Sequence, residues 1–305
     1  MKKMVGRGRF LPVVLTIAAV LFVLFIILPL TLSLFSPGSY GNVALIPIEG
    51  VITSDGSNYF GQATISSQDI VQFIEDADSN EDIKVILLEL NSPGGTPVGT
   101  DEIASAVLAA EKPVVAVIRE VAASGGYWVA SAADHVIANR MSMTGSIGVF
   151  SGYLEFSGLM EKYGIGYERL IAGENKDIGT PFRKLTDKEK KILQKQLDQL
   201  HDFFIMEVAA NRDIPKTKVK ALATGDVFLG IEALELGLVD QLGNKNTAIE
   251  YIKTTYGLEE VTFVPYVKEV GFFDLLTSVT TQFSFHVGEG LGSILFLQQP
   301  KVMLQ

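Results

Sequence analysis

Apolar residues along this chain recur in two alternating periods. From Val43, "VALIPIEGVI" reads as a strand, and between Ser66 and Asp78 the residues Ile70, Val71, Phe73, Ile74 and Ala77 fall on one face of a helix. "IKVILLEL", from Ile83, is a continuous apolar run of the kind buried on both faces of a parallel sheet. A helix near Val98–Ala110, the strand "PVVAVI" from Pro113 and a mixed segment "EVAASGGYWVASAAD" from Glu120 follow. Beyond them "HVIANR", "SIGVF" and "YERLIAG" predict short strands. Thr186 and Glu189 form a T-D-K-E capping box that opens a long helix to about Asn211. This strand, helix, strand rhythm predicts an α/β layer with parallel pairing and right-handed crossovers.

One stretch breaks the rhythm. Phe10 to Phe35 is 26 residues without a charge, about 39 Å as a helix and therefore long enough to span the ~30 Å core of a bilayer. It far exceeds the roughly 7 to 15 apolar residues of a cleaved signal, and no A-x-A-like site follows, so an uncleaved anchor is expected. Lys2, Lys3, Arg7 and Arg9 precede it and the first acidic residue is Glu49, which keeps residues 1–9 cytoplasmic and the rest outside. After the anchor at 10–35, residues 36–41 read as a linker and 42–270 as one compact domain. Residues 271–305 form a tail in which Phe272, Phe273, Leu276, Val279 and Phe283 line an amphipathic face.

Beyond the four leading cations, 21 Lys and Arg face 35 Asp and Glu, a formal charge of −14 that repels phosphate backbones and argues against nucleic-acid partners. The chain has no cysteine. Disulfides, thiolate nucleophiles and Cys-ligated zinc are thereby excluded, and no cofactor or metal is expected. No G-x-x-x-x-G-K-[ST] loop is present to cradle ATP.

The candidate chemistry gathers on glycine-flanked turns. Ser124 stands where strand gives way to helix, beside unsatisfied helix amides and the positive end of the helix dipole. Gly125 and Gly126 let a carbonyl approach the backbone, with the Gly125 N–H aimed at its oxygen. The plain alternative is a helix N-cap in a tight turn. Gly94 and Gly95 in "LNSPGG" follow a buried strand, where α/β sheets hold ligands, and could supply further oxyanion donors or simply form a turn. A serine nucleophile needs a base. His135 is separated from Ser124 by the predicted helix, while His201 in the long charged helix and His286 in the tail have no glycine-rich or strand-end context. Lys176 in "GENKDIGTPFR" is the other candidate. A lysine acts as base only where burial or a nearby cation favours its uncharged form.

At "LNSPGG", "AASGGYWVASAAD", "MTGSIGVF", "GENKDIGTPFR" and "GDVFLGIEALELGLVDQLG", across Val43 to Gly243, the chain resembles the signal peptide peptidase A family, also called protease IV, in its short single-copy form. The resemblance implies repeated ββα units of the Clp protease and crotonase type. It implies Ser124 as nucleophile, Lys176 as general base 52 residues later, and Ser146 as the hydroxyl that orients that base. Oxyanion donors would come from Gly125 and from Gly94 or Gly95. Implied substrates are remnant signal peptides and other short hydrophobic or unfolded segments at the membrane. The implied assembly is a ring-like homo-oligomer in which neighbours complete each site. Two other classes stand beside this endopeptidase: a catalytically silent membrane scaffold that keeps the peptide groove, and a crotonase-like acyl-CoA enzyme. An outward-facing domain gives the last of these little access to CoA.

Overall fold

Strands buried on both faces need helices on both sides, and that requirement builds this structure, a computed structural model describing residues 10–27, 41–57 and 64–268. The chain runs through helix α1 (Phe10–Phe22), a π-turn (Val23–Ile27), β1 (Val43–Glu49), β2 (Val51–Thr53), β3 (Thr64–Ser66), α2 (Ser67–Ser79), β4 (Val85–Ser92), α3 (Pro97–Ala109) and β5 (Val114–Ala123). It continues through α4 (Gly125–Ser131), β6 (His135–Ala138), β7 (Met143–Gly145), α5 (Ser157–Lys162), α6 (Asp187–Asn211), α7 (Lys216–Leu222) and β8 (Val227–Leu229). The last elements are α8 (Gly230–Leu236), β9 (Gln241–Leu242), α9 (Lys245–Tyr256) and β10 (Phe263–Pro265).

The main sheet has the order β10-β1-β4-β5-β6-β9, every neighbouring pair parallel. Alternate residues of its strands divide between two cores. Ile46, Ile48, Leu88, Leu90 and Ile118 pack beneath α2, α3, α4 and α6, while Val43, Val85, Leu87, Val115 and Ile137 pack against Ala248 and Ile252 of α9. Strand β5 outruns β6. Its first half pairs with β6 from Val115 to Ile118, and its second half, Val121 to Ala123, pairs with β7, which in turn pairs antiparallel with β8. The fork carries the end of β5 beyond β6, still paired with β4 at Ser92 and Ala122, and places residue 124 at its tip.

The helix starts follow the sequence. Ser66 caps α2 by accepting from the Asp69 N–H (3.2 Å), Thr96 caps α3, and Thr186 with Glu189 closes the capping box of α6. Two predicted strands are absent. "SIGVF" lies outside the ladders because β7 ends at Gly145, and "YERLIAG" is an exposed irregular stretch that pairs with no described strand. The predicted anchor is described only to Ile27: α1 covers 13 residues and then widens into a π-turn. Among the described residues no helix is long and apolar enough to cross a membrane, and the rest of the predicted span, residues 28–35, lies outside them. The tail from 271 lies outside them as well.

Leu88 is fully buried in the larger core. Leu88→Ala is expected to lower unfolding free energy by about 2 to 5 kcal/mol in urea denaturation, the cost of lost contacts plus the cavity left behind.

Candidate active site

The fork at the end of β5 fixes Ser124 by its backbone. Its N–H donates to Gly145 O of β7 (2.8 Å), and its carbonyl accepts from the N–H groups of Tyr127 (2.9 Å) and Trp128 (3.0 Å) in the first turn of α4. Serving both partners forces φ 51° and ψ −126°, a conformation rare for a residue with a side chain and costing on the order of 1–3 kcal/mol. The N-cap reading fails at the side chain: Ser124 occupies the cap position, but its hydroxyl makes no capping bond. That hydroxyl is left at the junction of two cavities.

The glycines are explained by close approach. A Cβ on Gly125 would overlap Thr100 Oγ1 of α3, and one on Gly94 (φ +98°) would lie 2.6 Å from Gly125 N. The two glycine turns therefore abut. Gly94 is bonded at both ends: its N–H donates to Ser92 Oγ (3.1 Å) and its carbonyl accepts from Ile52 N (2.9 Å). Gly95 passes against Ile52 while Thr96 N bonds Ile52 O (2.9 Å), so the ladder to Ile52 does not use the Gly95 N–H. Gly95 and Gly125 line one cavity of about 270 Å³ with Ser124, Trp128, Phe150 and Phe204. Trp128 and Phe204 stack with ring centroids 5.0 Å apart. Thr100 Oγ1, buried in this wall, has no hydrogen-bond partner among the described residues.

The second cavity, about 370 Å³, holds Ser124 together with Ser146. Ser146 follows β7 at φ 51°, its N–H bonded to Asp226 O (2.7 Å) and its hydroxyl to Gly225 O (3.3 Å). The structure thus brings Ser124, Ser146, Gly94, Gly95 and Gly125 together. It does not bring Lys176 to them within one chain: Lys176 is exposed and lines neither cavity.

An ion cluster fixes the segment that carries Lys176. Asp177 accepts from Arg169 (2.7 Å) and Arg183 (2.9 Å), and Arg183 also bonds Glu189 (2.6 Å), the residue closing the cap of α6 through Thr186 N (2.8 Å). Hydrogen bonds from Arg169 and then Arg183 hold the Asp177 carboxyl well below its ordinary range, and Arg183 first, then Thr186, pulls Glu189 down to about 2. The Asp177 and Glu189 side chains are 13% and 6% accessible, so water screens the cluster only in part.

One residue of the Ser124 cavity had been set aside on its sequence context. His201 of α6 lines it with Gln194 and Asp198, the three spaced four and three residues apart on one helix face. That spacing was the signal available, obscured by the many charges of the helix. His135, by contrast, stacks on Tyr251 (3.8 Å between centroids) and meets Gln241 (3.2 Å), a structural role, while His286 lies outside the described residues. A larger cavity of about 630 Å³ lies elsewhere, where Glu89 is paired with both Arg119 and Lys245 (2.9 Å each). It contains no serine at a glycine turn. Among the described residues no group of His, Asp and Glu is placed to hold a metal ion.

The chain is also similar to known peptidases. The model of peptidase family S49 matches residues 106–259. A protein of Methanocaldococcus jannaschii that carries a protease name is 32% identical over 247 residues, 80% of this chain and 78% of the relative. An Enterococcus faecium protein named as a signal peptide peptidase is 32% identical over 76% of this chain and 68% of its own length. Protease 4 of Haemophilus influenzae is 31% identical over 68% of this chain and 34% of its own.

Two outcomes follow from the geometry. Gly125→Ala, which drives a methyl into Thr100, is expected to distort the turn and cut turnover of any reaction at Ser124 by at least about 100-fold, measured as kcat/KM. The carboxylates of the cluster contribute stability above their unfolded pKa values, and that contribution is lost as pH falls through the folded ones. Pepsin nicking at the exposed Leu170 and Phe182 should accelerate as pH drops from about 4.5 towards 2, and Arg183→Ala should be nicked rapidly already at about pH 4.5.

Proposed function

This chain belongs to peptidase family S49, and on that footing we propose that it is a membrane-anchored serine endopeptidase acting on remnant signal peptides and other short hydrophobic or unfolded segments. The observation that carries this reading is Ser124: a hydroxyl with no capping duty, on a strained turn, between two cavities and beside the Gly95 and Gly125 backbones.

In this reading Ser124 Oγ attacks the scissile carbonyl as its proton passes to the uncharged amine of Lys176. The carbonyl oxygen turns towards the N–H groups of Gly95 and Gly125, while Gly94, already bonded to Ser92, shapes their approach. Collapse of the tetrahedral intermediate breaks the C–N bond as the leaving amine takes the proton from Lys176, and a water that gives a proton to the same, again neutral, amine then hydrolyses the acyl-enzyme. Ser146 orients the lysine amine. The cavity walled by Trp128, Phe150 and Phe204 receives an apolar side chain, worth about 1.5–3 kcal/mol when fully buried.

The base comes from a neighbouring copy of the chain. Lys176 sits on an arm whose Phe150, Leu154 and Leu170 are 92%, 72% and 96% exposed, an apolar surface that a ring of subunits would cover. Enclosure at such a contact strips water from an amine and favours its uncharged form. The apolar segment 10–35, with four cations before it, holds the assembly at the membrane with the catalytic domain outside, where such fragments concentrate.

Purified full-length protein should cleave a hydrophobic peptide, and Ser124→Ala and Lys176→Ala should each lose on the order of 10³-fold or more in kcat/KM. Co-assembly of the two inactive variants should restore part of the activity, because a shared site then pairs an intact serine with an intact lysine. Wild-type turnover in both variants would overturn the serine and lysine assignment. Wild-type protein that assembles yet cleaves nothing would instead favour the silent scaffold.

A further inference from the structure

Thr100 of α3 breaks a local rule. A threonine inside a helix ordinarily turns its hydroxyl back onto the carbonyl one turn earlier, as Thr254 of α9 does onto Glu250 O (2.8 Å). The corresponding acceptor for Thr100 is Thr96 O, which takes the Thr100 N–H (3.0 Å) but not its hydroxyl. Thr100 is 1% exposed, and its Oγ1 has no hydrogen-bond partner among the described residues. A buried hydroxyl left unpaired costs stability that a valine would not, so its presence needs another reason.

The reason is where the oxygen lies. It fills the space that a Cβ on Gly125 would take, and that same point is 3.3 Å from Gly95 N and 3.3 Å from Thr100 Cβ. On its other flank Gly125 N meets the Gly94 turn, 2.6 Å from the Cβ that Gly94 lacks. Gly125 is thus held between Thr100 and the turn of Gly94 and Gly95. Thr100 is itself tied to that turn. Thr96, next after Gly95, bonds Ile52 O through its N–H (2.9 Å) and caps α3 by accepting from Gly99 N (3.4 Å), one helical turn ahead of Thr100. A single helix start therefore adjoins the Gly95 amide and carries the side chain that rests against Gly125.

We propose that Thr100 is a positioning residue: buried and touching no substrate, it sets the spacing between the Gly95 and Gly125 N–H groups. This rests on the reading of Ser124 as nucleophile with those two amides as oxyanion donors. The side chain acts by shape. Its β-branch restricts rotation and keeps one heavy atom against Gly125, and a shift of about 1 Å between the donors would weaken the bonds they make to the oxyanion in the transition state. The hydroxyl takes no part as a hydrogen-bonding group, so a methyl in the same place serves equally.

The test is steady-state cleavage of one hydrophobic peptide by full-length variants. Thr100→Ala should lose about 10- to 100-fold in kcat and in kcat/KM alike, with KM unmoved, as expected when an interaction made only in the transition state is weakened. Thr100→Val keeps the branch and should rescue kcat to within about threefold of wild type while melting no lower. Thr100→Ser keeps the oxygen but lets it swing to Thr96 O, and should be slower than Thr100→Val. In Gly125→Ala the new methyl collides with Thr100 Oγ1. Deleting that oxygen too, in the double variant Gly125→Ala with Thr100→Ala, leaves Thr100 Cβ and Gly95 N at 3.3 Å and lets the methyl fill the gap, so the double variant should turn over at least about tenfold faster than Gly125→Ala. The proposal is overturned if Thr100→Ala keeps the wild-type kcat, or if the double variant is no faster than Gly125→Ala. It is also overturned if serine substitutes better than valine, which would make the hydroxyl itself the working group. Should Thr100→Ala fail to fold, the order of valine and serine decides. Undiminished turnover in Ser124→Ala would sink the nucleophile reading and the role of Thr100 with it, whereas an inactive Ser124→Ala beside a fully active Thr100→Ala would remove only the role of Thr100.

Discussion

Everything at the site depends on two glycine turns pressed together at the end of a forked strand. β5 leaves β6 and pairs with β7, so the Ser124 N–H is taken by Gly145 and its carbonyl by the first turn of α4. With both backbone groups committed, the residue adopts a left-handed φ and its side chain has no capping work to do. The neighbouring turn reaches within 2.6 Å, measured from the Cβ that Gly94 lacks to Gly125 N, and no residue with a side chain fits there. The strain is carried by the buried sheet beneath, whose β1, β4 and β5 are packed on both faces.

Most of the layer structure was legible in the sequence because its causes are local. The apolar run from Ile83, the capping box at Thr186 and the glycine pairs all report nearest-neighbour physics, and the strand from Val85 and the helix from Asp187 form within about two residues of their expected places. The failures share a non-local cause. "YERLIAG" has strand composition but stays exposed and pairs with no described strand, and "SIGVF" begins where the short β7 has already stopped. Within the site, Ser124 and the glycines were readable from their turns and Ser146 only through the resemblance, whereas His201 lines the cavity through the path of α6, a tertiary fact that its helical spacing with Gln194 and Asp198 merely hints at.

The arm from residue 148 to 185 is fixed to the fold at its base. Its apolar side chains stand in solvent, yet its base is pinned: Asp177 and Glu189 hold Arg183 between them, and Glu189 also closes the cap of α6, the same helix that walls both cavities. A subunit docking on the arm would thus be linked through one ion cluster to the helix facing the nucleophile. Within one chain Lys176 lines neither cavity at Ser124, and in the proposed assembly it would reach a serine only where copies of the chain meet.

The central claim is that the unbonded hydroxyl at the fork is the nucleophile. The most direct measurement is treatment of the assembled protein with a fluorophosphonate, followed by digestion and peptide mapping. The account predicts one phosphonyl group per chain on Ser124, lost in Lys176→Ala. A label that settles on another serine, or protein that cleaves peptides while Ser124 remains unmodified and uninhibited, would contradict it.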